Sequence, residues 1–343
     1  MDVRLLSETP EHEAAWDAFV ARQNHTTSDH LWGWRRILQS TFGFDPFYLA
    51  AMQGSELMGI LPLFRIPRGF GKWALSSIPF GNYGGICADS EEVAERLLDE
   101  AKRILARTRS AYLELRSRRP LDNGTLQPQS LYSRYSFPLH GDIDKHAQQL
   151  GGSNRNKINR AIKQGLRVIT RYSADEIYLI HSHTTRRLGT PCFPKRYFAL
   201  ILETFKGKAE VCLVEFQGQF IAYDLVLTFK QDLVCQFNGS LEAYFKLYPN
   251  KLLVWHLIET GCRRGMRELD YCRSRAGTGN ASFKRELRMK EEPLGYQYYL
   301  PKGDAVPQRN PSNAKYAWLI RTWQRLPLAV TRMVGPALVR YVA

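Results

Sequence analysis

The sequence reads as an α/β protein in two units, and three observations predict it. A chain of 343 residues is long for a single core, so two domains of ordinary size are expected. Each half runs through the same succession of helices, a hairpin and then strand–helix–strand. At 44% hydrophobic and 12% aromatic residues, the composition is that of a globular chain.

In the first half, Val3–Leu6 predicts a short strand and Glu11 to about Arg22 a helix. Trp32–Phe42 repeats apolar residues at helical spacing. Phe47–Met52 and Glu56–Phe64 read as strands joined at Gln53-Gly54-Ser55, a hairpin signal. Acidic Glu91–Glu100 running into basic Lys102–Arg109 suits one helix aligned with its dipole, and Tyr112–Leu115 a short buried strand. The second half opens with a basic helix, Asn154–Gln164, stopped by Gly165, and the strand Leu166–Thr170. Helices follow at Asp175–Arg187 and Lys195–Phe205, then strands Glu210–Phe216, Gln219–Phe229 and Leu233–Phe237. Helix Asn250–Cys262 leads to strand Met266–Tyr271, a helical stretch with Phe283 and Lys284, and a closing strand Tyr296–Leu300.

Domains are expected at 1–140 and 141–302, with 303–343 as a tail: a Pro/Asn-rich linker, then Lys315–Val342 interrupted by Pro327 and Pro336. In the tail Tyr316, Trp318, Leu319, Trp323, Leu326, Val330, Met333 and Val334 alternate with Arg321, Arg325 and Arg332. Such a basic amphipathic segment suits either peripheral contact with an anionic membrane face or packing as a clamp on the second domain. The two prolines break any long continuous helix and favour the clamp.

No apolar run approaches the roughly 18 residues of a membrane-spanning helix, and the first residues lack the pattern of a signal peptide. The six cysteines are scattered without a Cys-x-x-Cys pair, so neither a metal site nor a disulfide framework is expected, and a cytoplasmic location is. The net charge of +15 is unevenly placed. Residues 1–140 hold 16 Lys/Arg and 16 Asp/Glu; the remaining 32 and 17 lie in 141–343. A field concentrated on one half attracts a polyanion: nucleic acid, a nucleotide- or lipid-linked phosphate, or an anionic membrane. Its densest stretch is 154–171, with Arg155, Lys157, Arg160, Lys163, Arg167 and Arg171 and no acidic residue. Arg187 and Arg196 flank a second candidate loop that contains Thr190.

Residues 270–286 are the most informative segment. A strand end passes through Gly277-Thr278-Gly279 into a helix start, which presents backbone N–H groups and the positive end of a dipole to an anionic or oxyanionic ligand. Arg273, Arg275, Lys284 and Arg285 surround it. An ordinary turn rimmed by solvated cations fits the residues alone equally well. The pattern Asp-aromatic-x-Arg-Ser-x-x-Gly-Thr-Gly-x-x-x-Phe-Lys resembles the Fem-type (FemAB-like) aminoacyltransferases, most of all the branch associated with exosortase and PEP-CTERM exopolysaccharide systems. Further matching stretches lie in order along the chain, among them Asn82-Tyr83-Gly84-Gly85, Asn154-Arg155-Asn156-Lys157, Leu188-Gly189-Thr190-Pro191, Gly239-Ser240 and Pro249-Asn250. In two places the sequence departs from the family: Cys272 stands where Gly is usual, and Leu287-Arg288-Met289 replaces Trp-Gly-aromatic.

The resemblance implies a tandem of two GNAT-like domains with mixed sheets flanked by helices, here with a C-terminal helical tail. It also implies an N-acyltransferase moving an aminoacyl or acyl group onto an amine of a cell-envelope or exopolysaccharide precursor that is phosphate- or lipid-linked. In that reading Lys284 lies near the donor as an exposed point charge whose loss spares the fold, and Phe283 packs on the donor. Arg273 and Ser274 fix a phosphate or carboxylate; Asp270 orients Arg273, accepts a proton or merely forms a turn. Asn82 and Tyr83 supply a glycine loop near substrate, and Asn250 lies in the donor turn. No tightly bound cofactor is implied, only a co-substrate. The stretch Leu241–Asn250, where a coenzyme A cradle would need glycines, has none, which favours aminoacyl-tRNA over acyl-CoA. A non-catalytic RNA- or membrane-binding protein is the alternative of another class.

Overall fold

A computed structural model of the protein describes residues 1–69, 71–301 and 314–342, with the side chains of 314–316 set aside. The linker expected at 303–313 lies outside the described residues. The chain forms two compact α/β units, each with a mixed sheet. One unit holds residues 1–131, the strand Gly295–Tyr299 and the end from Arg340; the other holds 132–292 and the helices Ala314–Arg325 and Leu328–Val339. The sequence placed the boundary at 140/141. Two strands explain the difference: Tyr132–Pro138 pairs with Glu268–Arg275 in the second sheet, while Gly295–Tyr299 returns to pair with Leu113–Ser117 in the first.

In the first unit the sheet order is Asp2–Leu5, Asp45–Gln53, Glu56–Gly69, Lys72–Ser76, Leu113–Ser117, Gly295–Tyr299 and Gln127–Gln129, with Cys87–Ala88 beside the third. Lys72–Ser76 runs parallel to Leu113–Ser117. Helix Glu91–Arg107 starts on Ser90, whose hydroxyl accepts from Val93 N–H, and buries Val93, Leu97, Leu98, Ala101, Ile104 and Leu105. Those side chains meet Leu61, Leu63, Leu75 and Leu113 in the core. Beside this core sits an ionic group. Glu114 accepts from Arg116 at 2.9 Å, Tyr298 at 2.7 Å and Ser76 at 3.0 Å, with Arg68 at 3.8 Å. Burial pushes the Glu114 carboxyl up, but Arg116 and Arg68, with the hydrogen bonds from Arg116 and Tyr298, overcome it and hold it at about 2.

The second sheet runs Lys290–Pro293, Tyr132–Pro138, Glu268–Arg275, Asp232–Ser240, Gln219–Phe229, Ala209–Phe216 and Arg167–Arg171. Short strands such as Lys290–Pro293 escaped the sequence reading because charged edge residues carry no alternating apolar signal. Helices Gly152–Lys163 and Pro249–Arg263 pack Ile158, Ala161, Leu253, Leu257 and Ile258 into its core. Helices Ala174–Leu188 and Lys195–Thr204 carry another cluster, in which His181 stacks on Phe193 beside Phe198. His181 receives Phe193 N–H on Nε2 and meets the Tyr223 hydroxyl at Nδ1; burial pushes it down to about 3, so it packs as a neutral ring. The two tail helices lie on Ala174–Leu188, with Arg332 Nε donating to Ser182 at 2.9 Å and Arg186 Nε to the Leu326 carbonyl at 2.6 Å. No described helix is long and apolar enough to cross a membrane.

Because Glu114 is held below its ordinary value of 4.5, its contribution to stability is present above that pH and is lost as pH falls toward about 2. Glu114→Gln should therefore flatten the acid limb of the stability–pH curve over that window. A variant curve parallel to wild type there would show that the pair carries no linkage. Arg116→Met, which strands the carboxylate, should cost about 3–5 kcal/mol in denaturant unfolding.

Candidate active site

The second unit is organised around a divergence between two parallel strands. Asp232–Ser240 and Glu268–Arg275 pair only from Asp232–Glu268 to Val234–Asp270. Past that point each bulges against its outer neighbour: Gln236 is the extra residue opposite Leu225/Val226, and the register of Glu268–Arg275 shifts between Asp270 and Arg273. Bulges on both outer edges turn the strands apart, so neither edge has a ladder partner in the other beyond Asp270.

The bulge in Glu268–Arg275 is held from both sides. Cys272 sits there at φ 57°, the left-handed region that favours glycine. Its N–H donates to Asp270 Oδ1 at 2.7 Å, and Asp270 Oδ2 accepts from Arg134 Nε at 2.8 Å. Arg134 also binds Glu292 and Glu268. On the other side Lys284 Nζ donates to the carbonyls of Tyr271 at 2.5 Å and of Cys272 and Arg273 at 3.3 Å each. Lys284 is 4% exposed. Its pKa is pushed down by burial, against the pull of Cys272, Cys235, Asp270 and Asp224. Two expectations are thereby corrected. Lys284 is not an exposed point charge but a buried clamp on the bulge, and Asp270 is fully buried and held by Arg134 and the Cys272 N–H rather than open to a substrate amine. Arg273 lies half-buried with its guanidinium 4.6 Å over the Tyr132 ring, and Ser274 is buried opposite Ser133.

The turn after this strand forms as expected. Gly277 has φ 75°, and Thr278 caps helix Gly279–Glu286, its hydroxyl accepting from Ala281 N–H and donating to the Arg275 carbonyl. Both departures from the Fem-type pattern fall on positive φ, since Arg288 also has φ 57°. Non-glycine side chains thus occupy a backbone that glycine adopts without strain. Phe283 packs on the core with the Lys251 ammonium 5.4 Å from its ring.

Lys251 leads to a second knot. It is buried in the first turn of Pro249–Arg263 and bonds Asn154 Oδ1 at 2.7 Å and Glu286 at 3.0 Å; Lys157 also reaches Glu286, at 2.7 Å. Asn154 donates to the Glu286 carbonyl, so three helices are tied together. Lys157 is thus neutralised, while Arg155, Arg160 and Lys163 remain exposed. Tyr248, at φ 58°, precedes Pro249 and lies 6.0 Å from Arg160 and 5.8 Å from Lys157. Asn250 Nδ2 donates to Ser240 Oγ at 3.0 Å. Ser240 opens into a cleft of about 580 Å³ lined also by His183, Arg186, Arg187, Glu242, Tyr244 and Gln324. Arg187 stacks 5.0 Å over Phe245 on its way there. Thr190 and Arg196 are exposed on the loop and helix that follow.

Asn82 and Tyr83 belong to the other unit, and the structure corrects their expected role. Their N–H groups donate to Asp29 Oδ2 at 2.6 and 2.8 Å, and Tyr83 is 2% exposed, so this is a buried, clamped turn rather than an open substrate loop. The sequence reading missed Asp224, a carboxylate inside the apolar strand Gln219–Phe229. Tyr271 donates its hydroxyl to it across the intervening strand. Burial pushes the Asp224 carboxyl up to about 7, with Tyr271, Cys235 and Lys284 pulling the other way. A lone acidic residue in a strand's apolar run was the available signal. Among the described residues no His, Cys, Asp or Glu cluster is arranged to hold a metal.

Residues 152–285, from the basic helix to Arg285, match the family described as an acetyltransferase (GNAT) domain. No curated protein matches the sequence. Among solved structures the chain is similar to FemX, with 13% identity, a TM-score of 0.67 and coverage of 88% of this chain and 97% of that one. It is also similar to the C-terminal domain of a putative lysylphosphatidylglycerol synthetase from Agrobacterium fabrum, at 12% identity, TM-score 0.57 and 85% and 93% coverage. A third similar structure is a tandem GNAT protein from the clavulanic acid biosynthesis pathway, at 10% identity, TM-score 0.57 and 89% and 99% coverage. At these identities the likeness is one of fold. The architecture is a tandem of two GNAT-like α/β units with mixed sheets and flanking helices, followed by C-terminal helices. The matched domain supports N-acyltransferase activity.

Lys284→Ala leaves three carbonyls without their shared donor in a buried place. It should lower stability by about 3 kcal/mol or more in denaturant unfolding. A wild-type midpoint together with lost transfer would return Lys284 to the chemistry. At Cys272, Gly should be close to neutral because relieved strain offsets lost burial, whereas β-branched Val should cost about 1–3 kcal/mol. Equal midpoints for the two variants would mean that the left-handed backbone is absent.

Proposed function

We propose that the protein is a Fem-type aminoacyltransferase that moves an aminoacyl group from aminoacyl-tRNA to an amine of a phosphate- or lipid-linked cell-envelope or exopolysaccharide precursor, at the cytoplasmic face. The Asp270–Lys284 motif supports the Fem-type reading and its PEP-CTERM-associated branch. The observation that carries the choice of donor is the turn before helix Pro249–Arg263. A pyrophosphate cradle needs small residues and free N–H groups at a helix start. Here the turn is a 3₁₀ segment, Glu242–Leu247, without glycine; Tyr248 fills the left-handed position with a side chain, and Pro249 removes an N–H at the first helical position. Exposed Arg155, Arg160 and Lys163 on the neighbouring helix offer instead a track for a polynucleotide backbone.

Transfer itself asks for an amine near the donor carbonyl and for donors aimed at the developing oxyanion. This reading puts that chemistry beside the diverging strand edges past Val234 and Asp270. Lys284 and Asp270 act in this reading as positioning residues that set the bulge beside it. An acyl-CoA-dependent N-acyltransferase is the second reading, favoured by the cleft where Arg186 and Arg187 face Ser240. Labelled aminoacyl-tRNAs and acyl-CoAs, offered to the purified protein with a glycan fraction as acceptor, separate the two. Transfer from acyl-CoA alone overturns the tRNA reading, and transfer from neither supports a non-catalytic accessory protein.

Replacing Arg160 and Lys163 by Glu should weaken tRNA binding and reduce the slope of log affinity against log salt by about two contacts' worth. Both residues are exposed, so the melting temperature should hold. An unchanged slope would place the polynucleotide elsewhere.

A further inference from the structure

The tail helices Ala314–Arg325 and Leu328–Val339 have two faces with different employment. The inner face is a clamp. Gly335 lies so close to Cys192 that an added Cβ would stand 2.7 Å from its sulfur, Ile320 covers Gly189, and Gln324 donates to the Arg187 carbonyl. The outer face keeps large apolar side chains in solvent: Trp318 is 61% exposed, Leu319 53% and Met333 75%. Counting Leu338, four of the thirteen large hydrophobic residues exposed among the described residues lie on two short helices, a concentration that scattered surface apolar residues do not produce. Trp318, Arg321, Thr322 and Arg325 stand at spacings of three, four and seven residues, which puts tryptophan and two exposed arginines on one stripe. Neither helix contains an Asp or Glu.

We propose that this outer face seats the protein on an anionic lipid bilayer, with Trp318, Leu319 and Met333 entering the interface and Arg321 and Arg325 meeting acidic headgroups. A tryptophan beside arginines on a face without carboxylates is the chemistry of a headgroup boundary. A nucleic acid would use the arginines and leave Met333 and Leu319 without a role. This contact involves the two helices alone, whichever donor is bound. Clamp and membrane contact are compatible, since they occupy opposite faces.

The test uses the full chain with phosphatidylcholine vesicles, with and without phosphatidylglycerol, in a sedimentation assay at physiological salt. The wild type should sediment only with the phosphatidylglycerol vesicles. Trp318→Ser combined with Leu319→Ser and Met333→Ser should bind about tenfold more weakly or worse, at an unchanged melting temperature. Arg321→Gln with Arg325→Gln should weaken binding comparably and serves if the apolar triple variant fails to fold. Three results would overturn the proposal: folded wild type staying in the supernatant, equal sedimentation with phosphatidylcholine alone, or variants that bind like wild type. A wild-type dimer that the triple variant abolishes, without vesicle binding, would assign the face to a second copy of the chain instead.

Discussion

Cys272 stands in a left-handed bulge held by a carboxylate on its N–H and an ammonium on its carbonyl, and the second unit is arranged to keep both in place. Asp270 is buried with Arg134 against it, and Arg134 in turn draws Glu268 and Glu292 from neighbouring strands. Lys284 can remain buried because three carbonyls of one bulge converge on it. Ionised groups removed from water persist only when so fully partnered. The result is a strand edge turned away from Asp232–Ser240 in a defined direction, which makes the opening a rigid part of the fold.

Around this opening the charged groups divide by employment. Lys157, Lys251 and Glu286 tie three helices together, and their charges are consumed in doing so. Arg155, Arg160 and Lys163, within two helical turns of Lys157, stay at the surface and carry the field of the basic half. A run of cations that looks uniform in sequence is therefore part scaffold and part exposed charge. The same division recurs where the tail docks: Arg186 beneath it and Arg332 within it serve the clamp, while Arg321 and Arg325 face outward.

The two departures from the Fem-type pattern gain a physical meaning from the backbone. Cys272 and Arg288 both hold φ at 57°, a backbone that glycine adopts without strain. The strain is sustained by neighbours: Asp270 and Lys284 for Cys272, and for Arg288 a guanidinium that reaches the Gln149 carbonyl.

By itself the sequence determined the α/β class, most long elements and the turn that opens helix Gly279–Glu286, because apolar periodicity and glycine are local signals. It also located the basic helix Gly152–Lys163 and the glycine-free turn before Pro249, since charge and composition are legible without coordinates. It could not assign Tyr132–Pro138 and Gly295–Tyr299 to their sheets, because strand pairing joins residues far apart in the chain. Nor could it tell that Lys284 and Asp270 face inward while Arg160 faces out, or that Tyr83 is closed over by Asp29. Burial and the choice of partner are properties of the packed units. A lysine is a surface charge or a core clamp according to which carbonyls the fold brings within 3.3 Å of it, and only the tertiary structure decides that.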